Sequence, residues 1–176
     1  MNWKAKLIRF WNIWPPFVGA GISIVKTEGA WAGVGGKSAG IRSLMVRLKH
    51  RFWNSNYVGT QFGGSLFAMT DPFLMVILVQ RLGRDYVVWD KASTIRFRRP
   101  GLSNCYARFE VTDEELRAIQ DEVRSSGKMD LIRKIEITDE DGAVVAEVEK
   151  TIYIATKAYY KQSRLEKSSA STGTSA

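Results

Sequence analysis

The stretch from Asn56 to Leu82 constrains the fold more than any other part of this 176-residue chain. It begins as a polar loop containing glycines and continues into the longest apolar run of the sequence, in which every residue from Phe73 to Val79 is apolar. A helix that is apolar on all sides has to be surrounded by protein or lipid. The apolar run is shorter than the ~20 residues that cross a bilayer, so it predicts a helix buried in the middle of a domain.

Alternating apolar and polar residues predict strands on both sides of this helix. The predicted strands cover residues 22–28, 42–52, 86–99, 105–112, 131–138 and 143–156. A short charged helix is predicted over residues 113–125, with Thr112 or Asp113 as its cap and Gly127 as its end. This order indicates an α+β fold in which a largely antiparallel sheet curls around one helix. Such a sheet leaves an edge or a face open, which dimerisation usually covers.

Both ends of the chain differ from this central domain, which we place at residues 17–160. Residues 1–16 predict an amphipathic helix that stops at Trp14-Pro15-Pro16, because proline lacks the N–H that a helix needs. That helix suits either a weak membrane association or docking on its own domain. The glycine-rich residues 29–40 predict a flexible connection. Residues 161–176, rich in Ser and Thr, predict a disordered tail.

Composition narrows the chemistry. The single Cys105 excludes an internal disulfide and a Cys-based zinc site and fits a reducing cytoplasm, and no metal or redox cofactor is indicated. A Ser-His-Asp triad would need His50, the only histidine, which falls in a predicted strand. The net charge of +8 suggests a membrane surface, a nucleic acid or a phosphate-bearing ligand, or only solvated faces. No recognised nucleic-acid motif is present, so we expect no nucleic-acid partner.

A glycine-containing motif lies at the entrance of the central helix. The pattern N-x-x-G-T-x-H-G-G-(x)6-D is reproduced, except at the histidine, by Asn56, Gly59, Thr60, Gly63, Gly64 and Asp71. With residues 57–72, 86–101 and 148–157, it resembles the hotdog-fold acyl-CoA thioesterases of the phenylacetate type, and an uncharacterised thioesterase-like subgroup of that superfamily. The resemblance covers residues 17–157.

The resemblance implies a hotdog fold, with a long central helix wrapped by a curved antiparallel sheet, in homodimers or homotetramers whose active sites lie at the dimer interface. It implies an acyl thioester substrate, of coenzyme A or a carrier protein, and no other cofactor. The backbone N–H groups of Gly63 and Gly64 would hold the thioester oxygen. Asp71 would be the general base or nucleophile, acting across the interface, and Asn56 would orient water or the carbonyl.

This chain departs from the family pattern at two positions. Phe62 stands where the family often has a histidine, and Asp90 stands at the place of a water-positioning hydroxyl, with Ser93 and Thr94 nearby. The residues expected to contact substrate are Thr60, Phe62, Asp90, Thr94, Arg96 and Arg98. Arg96, Arg98 and Arg99 suit the phosphates of coenzyme A, since guanidinium matches phosphate geometry, or form a solvated strand face.

Plainer interpretations stay open. Asp71 followed by Pro72 is also a common signal for the cap of a restarting helix. If Asp71 is buried without a cation, its pKa should rise. Gly63 and Gly64 also suit tight helix packing. The whole chain also suits a non-catalytic acyl-binding or lipid-binding protein, which Phe62 in place of histidine favours.

Overall fold

The computed structural model describes residues 10–29 and 40–172 of the chain. Residues 10–13 are helical. The helices that follow are α1 (Pro15–Ala20), α2 (Gly63–Ala68), α3 (Phe73–Leu82), α4 (Asp113–Ser126) and α5 (Lys157–Thr172). The strands are β1 (Ile22–Gly29), β2 (Ile41–Leu48), β3 (Tyr86–Phe97), β4 (Cys105–Glu110), β5 (Lys128–Thr138) and β6 (Val144–Thr156).

The six strands form one sheet in the order β1-β2-β4-β5-β6-β3, and every neighbouring pair is antiparallel. Strand β3 therefore lies at one edge of the sheet although it directly follows the central helix in sequence. The curved sheet places its apolar face against α3, which packs on β2, β3 and β4. This is the α+β arrangement, a curved antiparallel sheet around a long helix, that the sequence predicts.

The central helix consists of α2 and α3, which are separated by a turn over residues 69–72 that contains a cis peptide bond between Asp71 and Pro72. From Gly63 to Leu82 the segment is 20 residues long with a mean hydropathy of 1.4, enough by length and composition alone to cross a membrane. It is instead largely buried inside the fold, as the core helix of a domain is. Gly83 ends α3, with φ of 87° and its N–H donated to Val79 O.

Aromatic rings fill the core where α3 begins. Phe73 is 1% exposed, and its ring centroid lies 5.5 Å from that of Phe17, 5.6 Å from that of Phe109 and 6.1 Å from that of Trp11. The segment at residues 10–20 is thereby packed onto the domain through Trp11 and Phe17, while Phe10 and Ile13 remain exposed. Of the two interpretations of the N-terminal helix, docking on its own domain therefore holds for the partly buried Trp11 and for the buried Phe17 that follows.

The charged helix α4 follows the predicted pattern. The Thr112 hydroxyl accepts a hydrogen bond from Glu115 N at 3.1 Å, which satisfies one of the free N–H groups of the first turn. Gly127 follows the helix with φ of 81° and donates its N–H to Val123 O. The prediction of this helix and of both its ends is confirmed.

Strand β2 ends earlier than predicted. The apolar alternation continues to residue 52, but the strand stops at Leu48, so His50 and Phe52 lie outside it. The Asn54 side chain causes the turn: it donates hydrogen bonds to Ala20 O and Lys49 O, both at 2.7 Å, and accepts one from Arg51 N. Phe52, the last residue of the predicted strand, is 89% exposed.

The two ends of the chain also differ from expectation. Pro15 and Pro16 begin the new helix α1, because proline fits the first helical positions, after a break at Trp14. Residues 161–172 are helical as part of α5, where the sequence predicts a disordered tail. Three predicted segments lie outside the described residues: residues 1–9 of the N-terminal helix, residues 30–39 of the glycine-rich connection and residues 173–176 of the tail.

Candidate functional site

The loop before the central helix is organised by one side chain. Asn56 Oδ1 accepts hydrogen bonds from Val58 N at 3.1 Å and Thr60 N at 3.0 Å, and Asn56 Nδ2 donates to Thr60 Oγ1 at 2.8 Å. Both ends of the Asn56 amide are therefore used within its own loop. Thr60, predicted to contact substrate, accepts from Asn56 in the same arrangement. Asn56 and Thr60 fix the shape of the loop that leads to Gly63.

Gly63 and Gly64 form the first turn of α2. Phe62 precedes them in extended conformation, and its carbonyl accepts from Ser65 N at 2.9 Å and Leu66 N at 3.1 Å. Within the described residues, the N–H groups of Gly63 and Gly64 donate to no other group, as expected at a helix start. A Cβ on Gly63 would lie 2.9 Å from Phe97 Cζ, and a Cβ on Gly64 2.5 Å from Phe62 Cε1. The two glycines therefore let aromatic rings lie directly on the helix backbone.

A cavity of about 430 Å³ opens beside this helix start. Its lining combines the loop, the helix start and the end of β3 with the residues after it: Asn56, Val58, Thr60, Gln61, Gly63, Leu66, Phe97, Arg98, Arg99, Pro100 and Gly101. Gln61 closes its floor, since Gln61 N donates to Gly101 O and Gln61 Nε2 donates to Ser103 O. Four of the predicted site residues, Asn56, Thr60, Gly63 and Arg98, thus meet at one cavity.

Asp71 lies elsewhere, in the turn between α2 and α3. Its side chain is 64% exposed, and its Oδ1 lies 3.5 Å from Lys150 Nζ. Asp71 is therefore neither buried nor without a cation. It is not a helix cap either: the residue at the cap position is Pro72, and no side chain accepts a capping hydrogen bond there.

The less exposed acid of this region is Asp90, whose side chain is about one fifth exposed. Its Oδ2 accepts a hydrogen bond from Lys150 Nζ at 2.5 Å, and its Oδ1 is buried without a hydrogen-bond partner among the described residues. Burial raises the pKa of Asp90, the Lys150 ammonium opposes that rise, and the carboxylate of Asp71 adds to it. Lys91, the next residue along β3, is not the partner of Asp90: Lys91 Nζ contacts Asp130 Oδ2 at 2.5 Å.

A β-bulge explains why Asp90 points inward. In the pairing of β3 with β6, Asp90 lies opposite Ile152 and Ala92 opposite Thr151, so Lys91 is an extra residue on β3. Partners in an antiparallel pair point to the same face, and Ile152 is fully buried. The bulge therefore turns Asp90 toward the core and leaves Lys91 outside, as bulges near functional sites often re-aim side chains. Ser93 lies opposite Lys150 on the same inner face.

The remaining predicted substrate residues lie on the outer face of the sheet. Thr94, Arg96 and Arg98 border a groove that also contains Lys134, Glu136, Glu147 and Glu149. Arg98 donates to Glu147 Oε2 at 2.6 Å, and Arg99 donates to Asp139 Oδ2 at 2.6 Å. Thr94 and Arg96 are separated from the cavity at Gly63, whereas Arg98 borders both. The ion pair between Arg98 and Glu147 is exposed and is therefore of the kind that contributes little to stability.

His50 forms a pair that looks catalytic and is not arranged as one. Its Nε2 lies 3.0 Å from Ser55 Oγ. The one hydroxyl proton of Ser55, however, is donated to Arg51 O at 2.7 Å. The serine therefore accepts from the imidazole, whereas a nucleophilic serine has to give its proton to it. No carboxylate among the described residues contacts the other ring nitrogen, and the triad interpretation fails.

Sequence reasoning missed Lys150. Along β6 the buried positions alternate through Ala146, Val148, Lys150, Ile152 and Ile154, and the side chain of Lys150 is only 2% exposed. A charged residue in an otherwise apolar inward row was the available signal, since lysine is almost never fully buried unless paired. The described part of the chain contains no group of three or more His, Cys, Asp or Glu side chains that could hold a metal.

Comparison with known proteins places this geometry in context. The model of one protein family, described as a domain of unknown function (DUF4442), matches residues 5–154. None of the curated proteins matches the sequence of this chain.

Solved structures resemble the chain over most of its length. A protein from Pseudomonas aeruginosa, described as of unknown function and as a probable thioesterase, is 21% identical with a TM-score of 0.69, and the match covers 86% of this chain and 95% of that one. A thioesterase from Haemophilus influenzae is 12% identical with a TM-score of 0.57, covering 87% and 90%. A protein of unknown function from Chlorobaculum tepidum is 17% identical with a TM-score of 0.61, covering 88% and 94%. Likeness at these identities establishes the fold, and the prediction of a hotdog fold is confirmed.

Proposed function

We propose that this chain, which belongs to the family described as a domain of unknown function (DUF4442), is a thioesterase that hydrolyses an acyl thioester of coenzyme A or of a carrier protein. The observation that carries the proposal is the start of the central helix at Gly63 and Gly64, which leaves two backbone N–H groups without a partner beside a cavity of about 430 Å³. The thioesterase descriptions of two structural neighbours support it.

The helix start supplies the electrostatic part of the reaction. When water attacks a thioester, the carbonyl oxygen becomes negatively charged. Free N–H groups at a helix N-terminus carry partial positive charge and stabilise such an oxyanion without having to reorganise. In this proposal the amides of Gly63 and Gly64 hold that oxygen. Phe62, beside them, supplies an apolar wall and no proton, so the base has to come from elsewhere.

Asp71 is the proposed base, and it acts on the cavity of a second protomer. Asp71 lies eight positions after Gly63 along the central helix, which at 1.5 Å per position corresponds to about 12 Å. A general base has to reach its proton at about 3 Å, directly or through one water. Asp71 therefore does not serve the helix start of its own chain, and a partner chain has to bring the two together. This supports a homodimer or homotetramer with sites at the interface.

Strand β3 is the proposed place of contact between protomers. It is 12 residues long, lies at the edge of the sheet and pairs on one side with β6. A long exposed edge strand with unpaired N–H and C=O groups pairs readily with another chain. Two copies joined at β3 would continue the sheet, and Asp90, on the inner face of this strand, would then lie near the interface.

The cavity suggests how substrate is held. Val58, Leu66 and Phe97 give it apolar walls suited to the acyl or pantetheine chain. Arg98 and Arg99 stand at its border and could exchange their exposed carboxylates for phosphates of coenzyme A, since an arginine binds phosphate with two parallel hydrogen bonds. Arg96 and Thr94 lie further out on the sheet, where Glu136, Glu147 and Glu149 oppose an anion, so their part in binding is at most peripheral.

The test is thiol release from a panel of acyl-coenzyme A esters by the wild-type protein and by Asp71→Asn. We expect turnover in the wild type and a loss of about 100-fold or more in the variant, which is the usual range for a general base. Asp121→Asn is the matched control, since Asp121 is an exposed aspartate on α4, far in sequence from the site, and its loss should leave turnover unchanged. Turnover that Asp71→Asn leaves unchanged would contradict the assigned role.

The second candidate is a non-catalytic acyl-binding protein with the same fold. Phe62 favours it, because a phenyl ring at the helix start, 55% exposed, offers contact area and no chemistry. Recovery of an intact acyl thioester from the purified protein, with no thiol released over hours, would select this candidate. Hydrolysis of the same ester would reject it.

Weak membrane association through residues 1–16 is a further proposal about location. The described part of that segment leaves Phe10 53% and Ile13 61% exposed. Because Trp11 packs in the core, the test uses the full chain with Phe10→Ser and Ile13→Ser and not a truncation. Loss of flotation with vesicles of anionic lipid would support the association, and equal flotation of both proteins would contradict it.

A further inference from the structure

Lys150 occupies an inward position on β6 between two apolar neighbours. Val148 and Ile152 are fully buried, and the Lys150 side chain is 2% exposed. Placing an ammonium among such side chains is costly unless carboxylates compensate the charge. If Lys150 had no function, an apolar residue of the same size could replace it with little loss of stability, because buried ion pairs rarely add stability over apolar packing.

Two carboxylates from different elements meet this ammonium. Asp90 Oδ2, on β3, accepts from Lys150 Nζ at 2.5 Å, and Asp71 Oδ1, in the turn between α2 and α3, lies at 3.5 Å. One positive charge thus faces two negative ones. The second oxygen of Asp90, Oδ1, is buried and has no hydrogen-bond partner among the residues described. An unpaired buried acceptor beside an exposed carboxylate suits a water molecule that donates to both.

We propose that Lys150 is a positioning residue for hydrolysis, whose buried ammonium holds Asp71 and Asp90 together as two ionised acceptors for the attacking water. The inference rests on the proposed function and extends it from one carboxylate to three charged groups. Asp71 remains the base that contacts the reacting water. Asp90 Oδ1 accepts a hydrogen bond from the other O–H of that water, and Lys150 acts only through the two aspartates.

The step balances as follows. The water oxygen forms a bond to the thioester carbonyl carbon while Asp71 takes one of its protons. The tetrahedral intermediate collapses, the carbon–sulfur bond breaks, and the thiolate receives the proton from Asp71. The products are a carboxylic acid and a thiol, no electron is exchanged, Asp71 returns to its ionised form, and Asp90 stays ionised throughout.

A further charged residue near Asp71 and Asp90 is Arg133, which already has a partner. Arg133 lies opposite Lys150 in the register of β5 with β6, but its guanidinium forms an ion pair with Glu115. The groups that act on Asp90 are Lys150 from β6 and Asp71 from the turn. Ser93 on β3 shares the face and carries no charge. Burial and these two groups therefore set the pKa of Asp90.

The test is the pH dependence of kcat/KM for acyl-coenzyme A hydrolysis in the wild type, Lys150→Met and Lys91→Met. Methionine has the length of lysine without the charge. An opposite charge within 4–6 Å lowers a carboxyl pKa by about 1–3 units, so Lys150→Met should move the acid limb of the profile up by about one pH unit or more. Lys91→Met is the matched control, because it removes an exposed ion pair with the same N–O distance of 2.5 Å and should leave the limb in place.

The variant Asp90→Asn provides a second test, because its expected shift of the acid limb would not follow if Lys150 had only a structural role. With one carboxylate removed, the whole charge of Lys150 acts on Asp71, so the acid limb should move down, opposite to the shift in Lys150→Met. This variant also serves if Lys150→Met does not fold. Limbs that stay at the wild-type pH in a folded Lys150→Met or in Asp90→Asn would overturn the inference while leaving the thioesterase proposal intact. Absence of turnover in the wild type would defeat the proposed function and this inference with it.

Discussion

The ring of Phe97 lies directly against the backbone of Gly63, the first residue of α2. A Cβ at Gly63 would lie 2.9 Å from Phe97 Cζ, closer than side-chain atoms approach one another. Phe97 ends the edge strand β3 and also lines the cavity at the helix start. The space that a substrate would enter is thus shaped by a contact between the helix and the sheet that only glycine permits.

Gly63→Ala should therefore change the cavity more than the stability. The Phe97 ring is 56% exposed and can move away, and alanine reduces the freedom of the unfolded chain, so the melting temperature should change little. Displacement of the ring by about an ångström should lower kcat/KM by about tenfold or more. Gly63→Ala with Phe97→Ala should recover part of this loss. Gly19→Ala is the control, because a Cβ there meets no atom within 4 Å, and an equal loss in that variant would contradict the explanation.

Gly127, which follows the end of α4, allows a second prediction about the substitution of a glycine. Gly127 has φ of 81°, and a Cβ there would lie 2.3 Å from Tyr159 Cδ2. Gly142 has the same φ of 81° with no atom within 4 Å of its Cβ position. Alanine at either site costs about 1–2 kcal/mol of unfolding free energy for the left-handed conformation.

Gly127→Ala should cost clearly more than Gly142→Ala in chemical denaturation, since the tyrosine ring has to move as well. In a chain that already carries Tyr159→Ala, Gly127→Ala should lower the unfolding free energy by only as much as Gly142→Ala does. Equal losses in the two single variants would mean that the contact with Tyr159 contributes nothing.

Local patterns gave most of the architecture. The unbroken apolar run at Phe73–Val79 predicts the buried helix, and strict alternation predicts β5 and β6. The strand β2 was extended too far because its alternation continues to Phe52, whereas the Asn54 side chain turns the chain by bonding to backbone from Ala20 and Lys49. That competition depends on tertiary contacts, so periodicity alone could not reveal it.

The candidate site was harder to predict than the fold. The motif and the family resemblance drew attention to the glycines at the helix start, but the partner of Asp90 is Lys150, 60 residues later in the chain. The pairing depends on the bulge at Lys91, which reverses the faces of the residues that follow it on β3. A one-residue shift of this kind leaves no periodic signal, so the sequence alone could not bring Asp90 and Lys150 together.

Cys105 should be chemically silent in the folded protein. Burial, with a smaller contribution from the charge of Asp139, raises the pKa of the Cys105 thiol to about 11. At pH 8 about one molecule in 1000 then carries the reactive thiolate. We expect almost no reaction with a thiol reagent at pH 8 over minutes, and full reaction of one thiol per chain in denaturant. Rapid labelling of the folded protein would show that β4 opens locally.

The pH dependence of stability should report on Asp90. Burial raises its pKa above the ordinary value of 3.8, so the folded protein keeps this proton at pH values where the unfolded chain has released it. The stability contributed by Asp90 is therefore complete below pH 3.8 and declines as the pH rises through the folded-state pKa. Asp90→Asn should remove this decline, and the difference in unfolding free energy between variant and wild type should grow in favour of the variant over that range.

The measurement is urea denaturation of the wild type, Asp90→Asn and Asp121→Asn at pH values from about 4 to 8. Comparison between variants is needed because Glu28 and Glu147 have lowered pKa values and add a slope of opposite sign in all three proteins. Asp121, exposed on α4, should leave the profile of the wild type unchanged. A profile of Asp90→Asn parallel to that of the wild type would mean that the Lys150 ammonium fully offsets the burial of Asp90, and that the carboxylate is as easily ionised inside the fold as in the unfolded chain.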